Sequence, residues 1–280
     1  MHERILPKPM TNSSLPPVRT GQSWSALAAQ FAPALLLLAL LAAWQIVVWL
    51  QVYPPFIIPP PLAVWQKGVE VIADGTLWGH IQATMGAVVA GLAVGLAAAV
   101  GLGYLIAKNR VLDHALSPLI AAFQSAPVVA YAPLLVIWFG SGLTSKIVTS
   151  ALIVFFPMLM NTVVGINSVP TALRDLMRSM QATRWQTFSK LEVPAAMPVL
   201  LGGLKISASL AVIGAVVGEF VNANAGLGYL INLARSQYDT PLVIVAVLAL
   251  TLMARLLYSG VRLLENRALA WQKRDRPQWK

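Results

Sequence analysis

The chain has 280 residues, 58% of them hydrophobic and only 11% charged, with a mean hydropathy of +0.71. An ordinary soluble domain is about 45–50% apolar and about 25% charged, so this composition excludes one and points to a protein of the bilayer. The absence of cysteine also excludes a disulfide framework, a zinc–thiolate site, an iron–sulfur cluster and a cysteine nucleophile.

Residues 1–31 are polar and carry Pro7, Pro9, Pro16 and Pro17, the composition of a disordered tail. Six apolar stretches follow, at 32–50, 85–106, 117–139, 147–166, 197–217 and 242–261. Each is close to the ~20 residues a helix needs to cross ~30 Å of hydrocarbon. The first is followed by Val52-Tyr53-Pro54-Pro55 rather than by a small-residue cleavage site, which makes it an uncleaved anchor. In the second, Ala87, Gly91, Gly95, Ala99 and Gly103 recur every four residues. Another backbone can approach closely along such a stripe, either inside the subunit or across a dimer seam. Pro118, Pro127 and Pro133 interrupt the third, which is therefore a span or a broken or re-entrant helix.

Lys205 in the fifth stretch would cost about 2.5–3.5 kcal/mol at the bilayer centre, so it belongs near the cytoplasmic end or beside an acid. Glu219 closes the same stretch on the outer side; snorkelling to the interface is the simplest expectation, with pairing or an outer-gate role as alternatives. Gln124, Ser125, Asn161, Ser207 and Ser209 are polar at membrane depth, tolerated there by bundle-interior hydrogen bonds or by facing a solute pathway. With Glu219 they are the candidate pathway-lining residues. The domain plan is a tail (1–31), a transmembrane domain (32–264) and a basic tail (265–280).

Six spans with both termini on one side leave fifteen Lys and Arg on that side and three, Lys67, Lys146 and Arg235, on the other. Cytoplasmic segments carry the basic excess, so both termini of this multi-pass membrane protein are expected in the cytoplasm. The net charge of +10 is then a topology signal and gives no support to nucleic-acid binding. His2, His80 and His114 are scattered, with neither metal spacing nor a base beside a nucleophile. The stretch 140–146 has Ser145 where a phosphate-binding loop needs glycine and Ile147 where it needs Ser or Thr. No catalytic residue, metal site or cofactor is expected in this chain.

The loop 167–194 is the exception to a chain of spans and connectors. Leu173, Leu176, Met177, Met180, Arg184, Trp185, Phe188 and Leu191 recur at spacings of three and four, which predicts one or two short amphipathic helices. Their apolar face must be covered by the protein's own core, by the headgroup region or by a partner's groove.

This loop resembles the cytoplasmic signature of the membrane subunits of bacterial ABC importers: Glu-Ala-Ala, a Gly-Ala pair, an aromatic, then an apolar-x-Leu-Pro close. Asp175-Leu176-Met177 takes the first triplet, Gln181-Ala182 the Gly-Ala pair, and Trp185, Phe188 and Leu191-Glu192-Val193-Pro194 the rest. Gln181 departs from the glycine, and such a replacement fits only where the backbone is neither left-handed nor tightly approached. Three further stretches are similar to the branch that carries nitrate, sulfonates, taurine, the thiamine pyrimidine precursor and riboflavin. They are Phe56-Ile57-Ile58-Pro59-Pro60-Pro61-Leu62-Ala63-Val64-Trp65, Pro133-Leu134-Leu135-Val136-Ile137-Trp138-Phe139-Gly140, and Gly218-Glu219-Phe220 with Gly226-Leu227-Gly228-Tyr229-Leu230-Ile231. The run Ala130-Tyr131-Ala132-Pro133, with Phe155-Phe156-Pro157, is closer to the vitamin members.

The resemblance implies an all-α type I importer permease of about six spans with a coupling helix between spans four and five. Asp175, Met177, Arg178, Gln181, Ala182, Trp185, Phe188, Leu191 and Pro194 would seat it in the ATPase subunit. It further implies two ATPase subunits that bind ATP and Mg, an extracytoplasmic solute-binding protein, and a second copy of the chain. Broken helices and midplane polar groups also suit an ion-coupled secondary transporter, and a scaffold without transport would use the loop for docking alone.

Overall fold

The computed structural model describes residues 22–125, 127–221 and 223–271, and they are nearly all helical. Two compact units divide the chain at Val52. The first holds α1 (Gln22–Trp49), whose segment Phe31–Trp49 is long and apolar enough to span a membrane. This helix begins inside the stretch expected as a tail; residues 1–21 and 272–280, where most of the expected tails fall, lie outside the described residues.

In the second unit, α2 (Pro61–Ala73) starts with Pro61 in the first helical turn behind the extended Pro60, a position where a missing N–H is harmless. Then come α3 (Thr76–Lys108), α4 (Arg110–Ser125), a single 3₁₀ turn (Val128–Tyr131), α5 (Ala132–Phe139) and α6 (Leu143–Asn167). The remaining helices are α7 (Thr171–Ser179), α8 (Arg184–Thr187), α9 (Val193–Val221), α10 (Leu227–Ser236) and α11 (Thr240–Ala268), with a π turn, Phe188–Glu192, joining α8 to α9. Among the described residues five helices are long and apolar enough to cross a membrane, and six if the third stretch counts as one span.

That third stretch is broken: Arg110–Gln124 and Val129–Phe139 meet at 80°. Pro127 is extended, with φ −68° and ψ 103°. Its ring lacks a donor and disfavours helix in the residue before it. The helices α2 and α10 were not anticipated in the outer loops. They are too short and too polar to register as spans, and each buries one narrow face, Val64 and Val71 in α2, Leu227, Leu230 and Ala234 in α10.

Small residues set the centre of the bundle. A Cβ added at Gly95 would stand 2.8 Å from the Ala151 carbonyl oxygen, and one at Gly103 would stand 2.7 Å from Thr162 Cβ. On the other side of α6, a Cβ at Gly203 would lie 2.8 Å from Asn161 Cβ, and one at Gly214 would lie 2.5 Å from Ser150 Cα. The helix α6 is thus held between α3, which runs parallel to it, and α9, which runs antiparallel. The stripe in α3 is a seam inside the subunit, with Ala87 and Ala99 fully buried in it. Ser150 completes the join by donating to the Ala211 carbonyl of α9 at 3.0 Å.

Candidate functional site

The loop between α6 and α9 folds into two short helices around a turn fixed by backbone hydrogen bonds. Ala182 N–H donates to Met177 O at 3.0 Å and Gln181 N–H to Arg178 O at 2.9 Å. This is the Schellman pattern, in which the residue after the cap is left-handed and usually glycine. Here that residue is Gln181, with φ +53°. The next helix opens with a capping box: Thr183 Oγ1 accepts from Gln186 N–H at 3.2 Å, and Gln186 Oε1 accepts from Thr183 N–H at 2.8 Å.

Both ends of the loop are tied to the bundle. Arg174 donates to the Ile166 carbonyl at 2.6 Å, satisfying one of the free acceptors at the end of α6. At the other end the π turn carries Glu192 inward, where it is 1% exposed. Lys108 at the end of α3 pairs with it, and the Tyr104 hydroxyl donates to it at 3.3 Å. The rings of Tyr104 and Phe188 meet edge to face at 5.2 Å. Between these anchors the apolar face lies open: Trp185 is 71% exposed and Met180 69%, with Leu173 and Leu176 also exposed. Asp175 and Arg178 pair at 3.3 Å on the outside, too solvated to contribute much. Met177, Ala182, Leu191 and Pro194 are half-buried under that face.

At the opposite end of the bundle, Glu219 does not snorkel. It is 1% exposed and accepts from Thr84 Oγ1 at 2.9 Å and from Gly228 N–H at 2.7 Å. Thr84 Oγ1 in turn accepts from Leu227 N–H at 2.8 Å, and His80 Nδ1 accepts from Gly226 N–H at 3.0 Å. Three side chains from α3 and α9 therefore satisfy successive amides at the start of α10, and the carboxylate sits where the helix dipole favours it. Lys146 of α6, also buried, donates to Ala225 O at 2.6 Å. Gly226, at φ +122°, has no room for a side chain, because a Cβ there would run into the Glu219 carboxylate.

The other polar groups singled out in the spans are spread along the bundle. Asn161 donates to Pro157 O at 2.8 Å in its own helix. Ser207 is buried, with no hydrogen-bond partner for its Oγ among the described residues. Ser209 is half-buried and Gln124 exposed; the Ser125 side chain lies outside the described residues. Lys205 has the acid expected of it, Glu265 in α11 at 2.8 Å. Sequence spacing, which quoted Glu192 only within the closing run of the loop, missed Tyr104 and Lys108 at that end and His80, Thr84 and Lys146 at the other. Its one signal there was the Gly226-Leu227-Gly228 run.

Residues 91–269 match the family described as the binding-protein-dependent transport system inner membrane component. The chain belongs to that family. It is a permease component of an ABC importer, a multi-pass protein of the inner membrane. Among its relatives, a riboflavin transport system permease protein of Chloroflexus aurantiacus is 46% identical over 266 residues, 94% of this chain and 97% of the relative. A formylaminopyrimidine transport permease protein of Halalkalibacterium halodurans is 35% identical over 243 residues, covering 87% and 96%. The taurine transport system permease protein of Escherichia coli is 31% identical over 240 residues, covering 84% and 87%. Two solved structures share the fold with a TM-score of 0.57. In the inward-facing MetNI methionine ABC transporter, 70% of this chain aligns with 95% of the permease at 21% identity. In an amino acid ABC transporter, 71% aligns with 97% at 16% identity. Among permeases, the α7–α8 segment is the element that resembles the coupling signature. Family membership also sets aside the ion-coupled reading, which rested on broken helices and midplane polar groups.

Proposed function

We propose that this permease carries riboflavin or a related vitamin precursor into the cell, driven by a separate ATPase that seats the α7–α8 loop. The observation that carries the coupling role is the open apolar face of Leu173, Leu176, Met180 and Trp185 on a loop anchored at both ends. A loop folded this firmly around uncovered aromatic and aliphatic side chains suits a protein groove, since a hydrophobic anchor cluster is what a partner's pocket recognises. Asp175, Arg178, Gln181, Ala182 and Phe188 complete the docking segment. ATP and Mg belong to the ATPase, whose closure moves the loop; the permease supplies no reacting group. Two copies of the chain frame the pathway, both termini lie in the cytoplasm, and a binding protein delivers solute outside. Gln124, Ser125, Asn161, Ser207 and Ser209 are the polar groups offered to the pathway, and Glu219 serves the outer gate through the start of α10.

The vitamin assignment rests on the riboflavin and formylaminopyrimidine relatives. The test is uptake into vesicles holding the permease, its ATPase and its binding protein. ATP-dependent riboflavin uptake that taurine does not compete supports the reading; uptake of taurine but not riboflavin overturns the solute. Ala182→Glu and Trp185→Asp should each abolish uptake and ATPase co-purification, and unchanged values for both would overturn the docking role.

A further inference from the structure

Two cavities share the wall formed by Tyr104 beside the α7–α8 loop. The larger, about 790 Å³, is lined by Lys108, Arg174, Arg178 and Arg184 facing a single carboxylate, Glu192. Lys108 neutralises that carboxylate and Arg178 pairs with Asp175, so Arg174 and Arg184 are the cavity's surplus cations. Arg174 also holds a buried Nε with no hydrogen-bond partner among the described residues. The smaller cavity, about 390 Å³, is apolar and is lined by Val100, Gly101, Ile166, Phe188 and Leu200, with Trp185 of the docking face at its wall. A Cβ placed on Gly101 would meet nothing within 4 Å.

Arginines present forked donors that suit a phosphate, and basic pockets between membrane helices take anionic headgroups. A free phosphate or a protein carboxylate would use only the cationic cavity and leave the apolar one idle. A phosphate joined to a hydrocarbon chain uses both. We propose that the pair of cavities holds one anionic glycerophospholipid. Its phosphate lies between Arg174 and Arg184, and an acyl chain lies along Val100, Gly101 and Leu200. Every phosphate contact there adds a charge-assisted bond, and the apolar cavity receives the chain that the phosphate carries. A lipid so placed would wedge the end of α3 against the loop and set how stiffly the loop is held.

The test uses the full chain in nanodiscs of phosphatidylglycerol mixed with phosphatidylcholine, followed by transfer to mild detergent and native mass spectrometry. The wild type should retain one phosphatidylglycerol per chain, about tenfold over phosphatidylcholine. Gly101→Phe, which fills the apolar cavity from an open position, should lower retention about tenfold while melting in detergent at the wild-type temperature. Arg184→Gln alters an exposed side chain and should lower retention similarly, which keeps the test alive should Gly101→Phe melt early. Equal retention of both lipids, or retention unchanged in both variants, overturns the proposal. So does millimolar inorganic phosphate displacing the lipid from wild type, which assigns the site to free phosphate. Loss of the lipid whenever the ATPase subunit binds also overturns it, by assigning the surface to that protein.

Discussion

Gln181→Gly replaces the single side chain that the α7–α8 turn holds against its backbone preference. Gln181 sits at φ +53°, where a residue with a Cβ is disfavoured by about 1–2 kcal/mol. Glycine removes that strain but brings about 0.5–1 kcal/mol of extra chain entropy to be lost on ordering. The net expectation is about 0.5–1 kcal/mol of local stabilisation, or about twofold to fivefold in the equilibrium between the closed and open turn. Hydrogen exchange reads this directly, because the amides of Gln181 and Ala182 are the two donors of the Schellman turn. Their protection should rise by about twofold to fivefold in Gln181→Gly. Gln181→Val should lower it, since a β-branched residue tolerates the left-handed region least, and Gln181→Asn should fall between glycine and wild type. Unchanged protection in Gln181→Gly together with increased protection in Gln181→Val would refute a left-handed Gln181. The same series bears on coupling: a turn stiffened this way should transmit motion of the docked partner at least as well as wild type in ATP-driven uptake.

Gly226→Ala should lower the thermal stability of the purified permease by at least about 2 kcal/mol, because it adds backbone strain and drives a methyl into the Glu219 carboxylate; a melt identical to wild type would contradict that geometry. Lys205→Met and Glu265→Gln should each destabilise more than the double substitution does, since either alone leaves a lone charge at a partly buried position; additive effects in the cycle would show that the pair does not form. Lys67 is held above its ordinary 10.5, chiefly by its hydrogen bond to Glu70 and further by Asp239, against the opposing effect of burial. A raised value means its contribution is complete below pH 10.5 and is lost as pH climbs through the raised value; Lys67→Met should therefore lower stability slightly at neutral pH and flatten the alkaline end of the curve, where the two proteins converge, and equal stability at neutral pH would contradict it.

The spans were legible because each needs only length and apolarity, and both survive any rearrangement of neighbours. The stripe of Ala87, Gly91, Gly95, Ala99 and Gly103 was legible as a close approach, but its partner was not. Only the structure shows α6 filling it, because a small-residue stripe states a distance and not an identity. Lys205 announced the need for an acid, and sequence distance hid that acid 60 residues away. Glu219 was misread for the same reason. Judged by its place at the end of an apolar run it looked like an interface residue, whereas its hydrogen-bond donor Thr84 stands 135 residues earlier. Gln181 is the opposite case. The family pattern raised the question of a left-handed turn, and backbone hydrogen bonds three and five residues back along the chain answer it.

The tie points of the loop join it to three helices of the bundle at once. Arg174 grips the Ile166 carbonyl near the end of α6, and Glu192, in the turn that leads into α9, grips the end of α3. These are the same three helices whose small residues interlock along the bundle, with no room for a methyl at Gly95, Gly103 or Gly214. Close-packed interiors transmit strain because they have few voids to absorb it. A displacement of α7–α8 is therefore delivered to α3, α6 and α9 together, and it cannot be taken up by sliding at one seam. At the far end the same helices supply His80, Thr84, Lys146 and Glu219 to the start of α10 and the turn before it. Motion that draws Glu219 away from Thr84 leaves the start of α10 with only one of its two acceptors, which frees the amide of Leu227 or of Gly228. Exchange at those two amides is the distant readout of loop motion. It should rise when the partner moves the loop and stay at its resting value in Trp185→Asp, and identical exchange in both would mean that the two ends of the bundle are uncoupled.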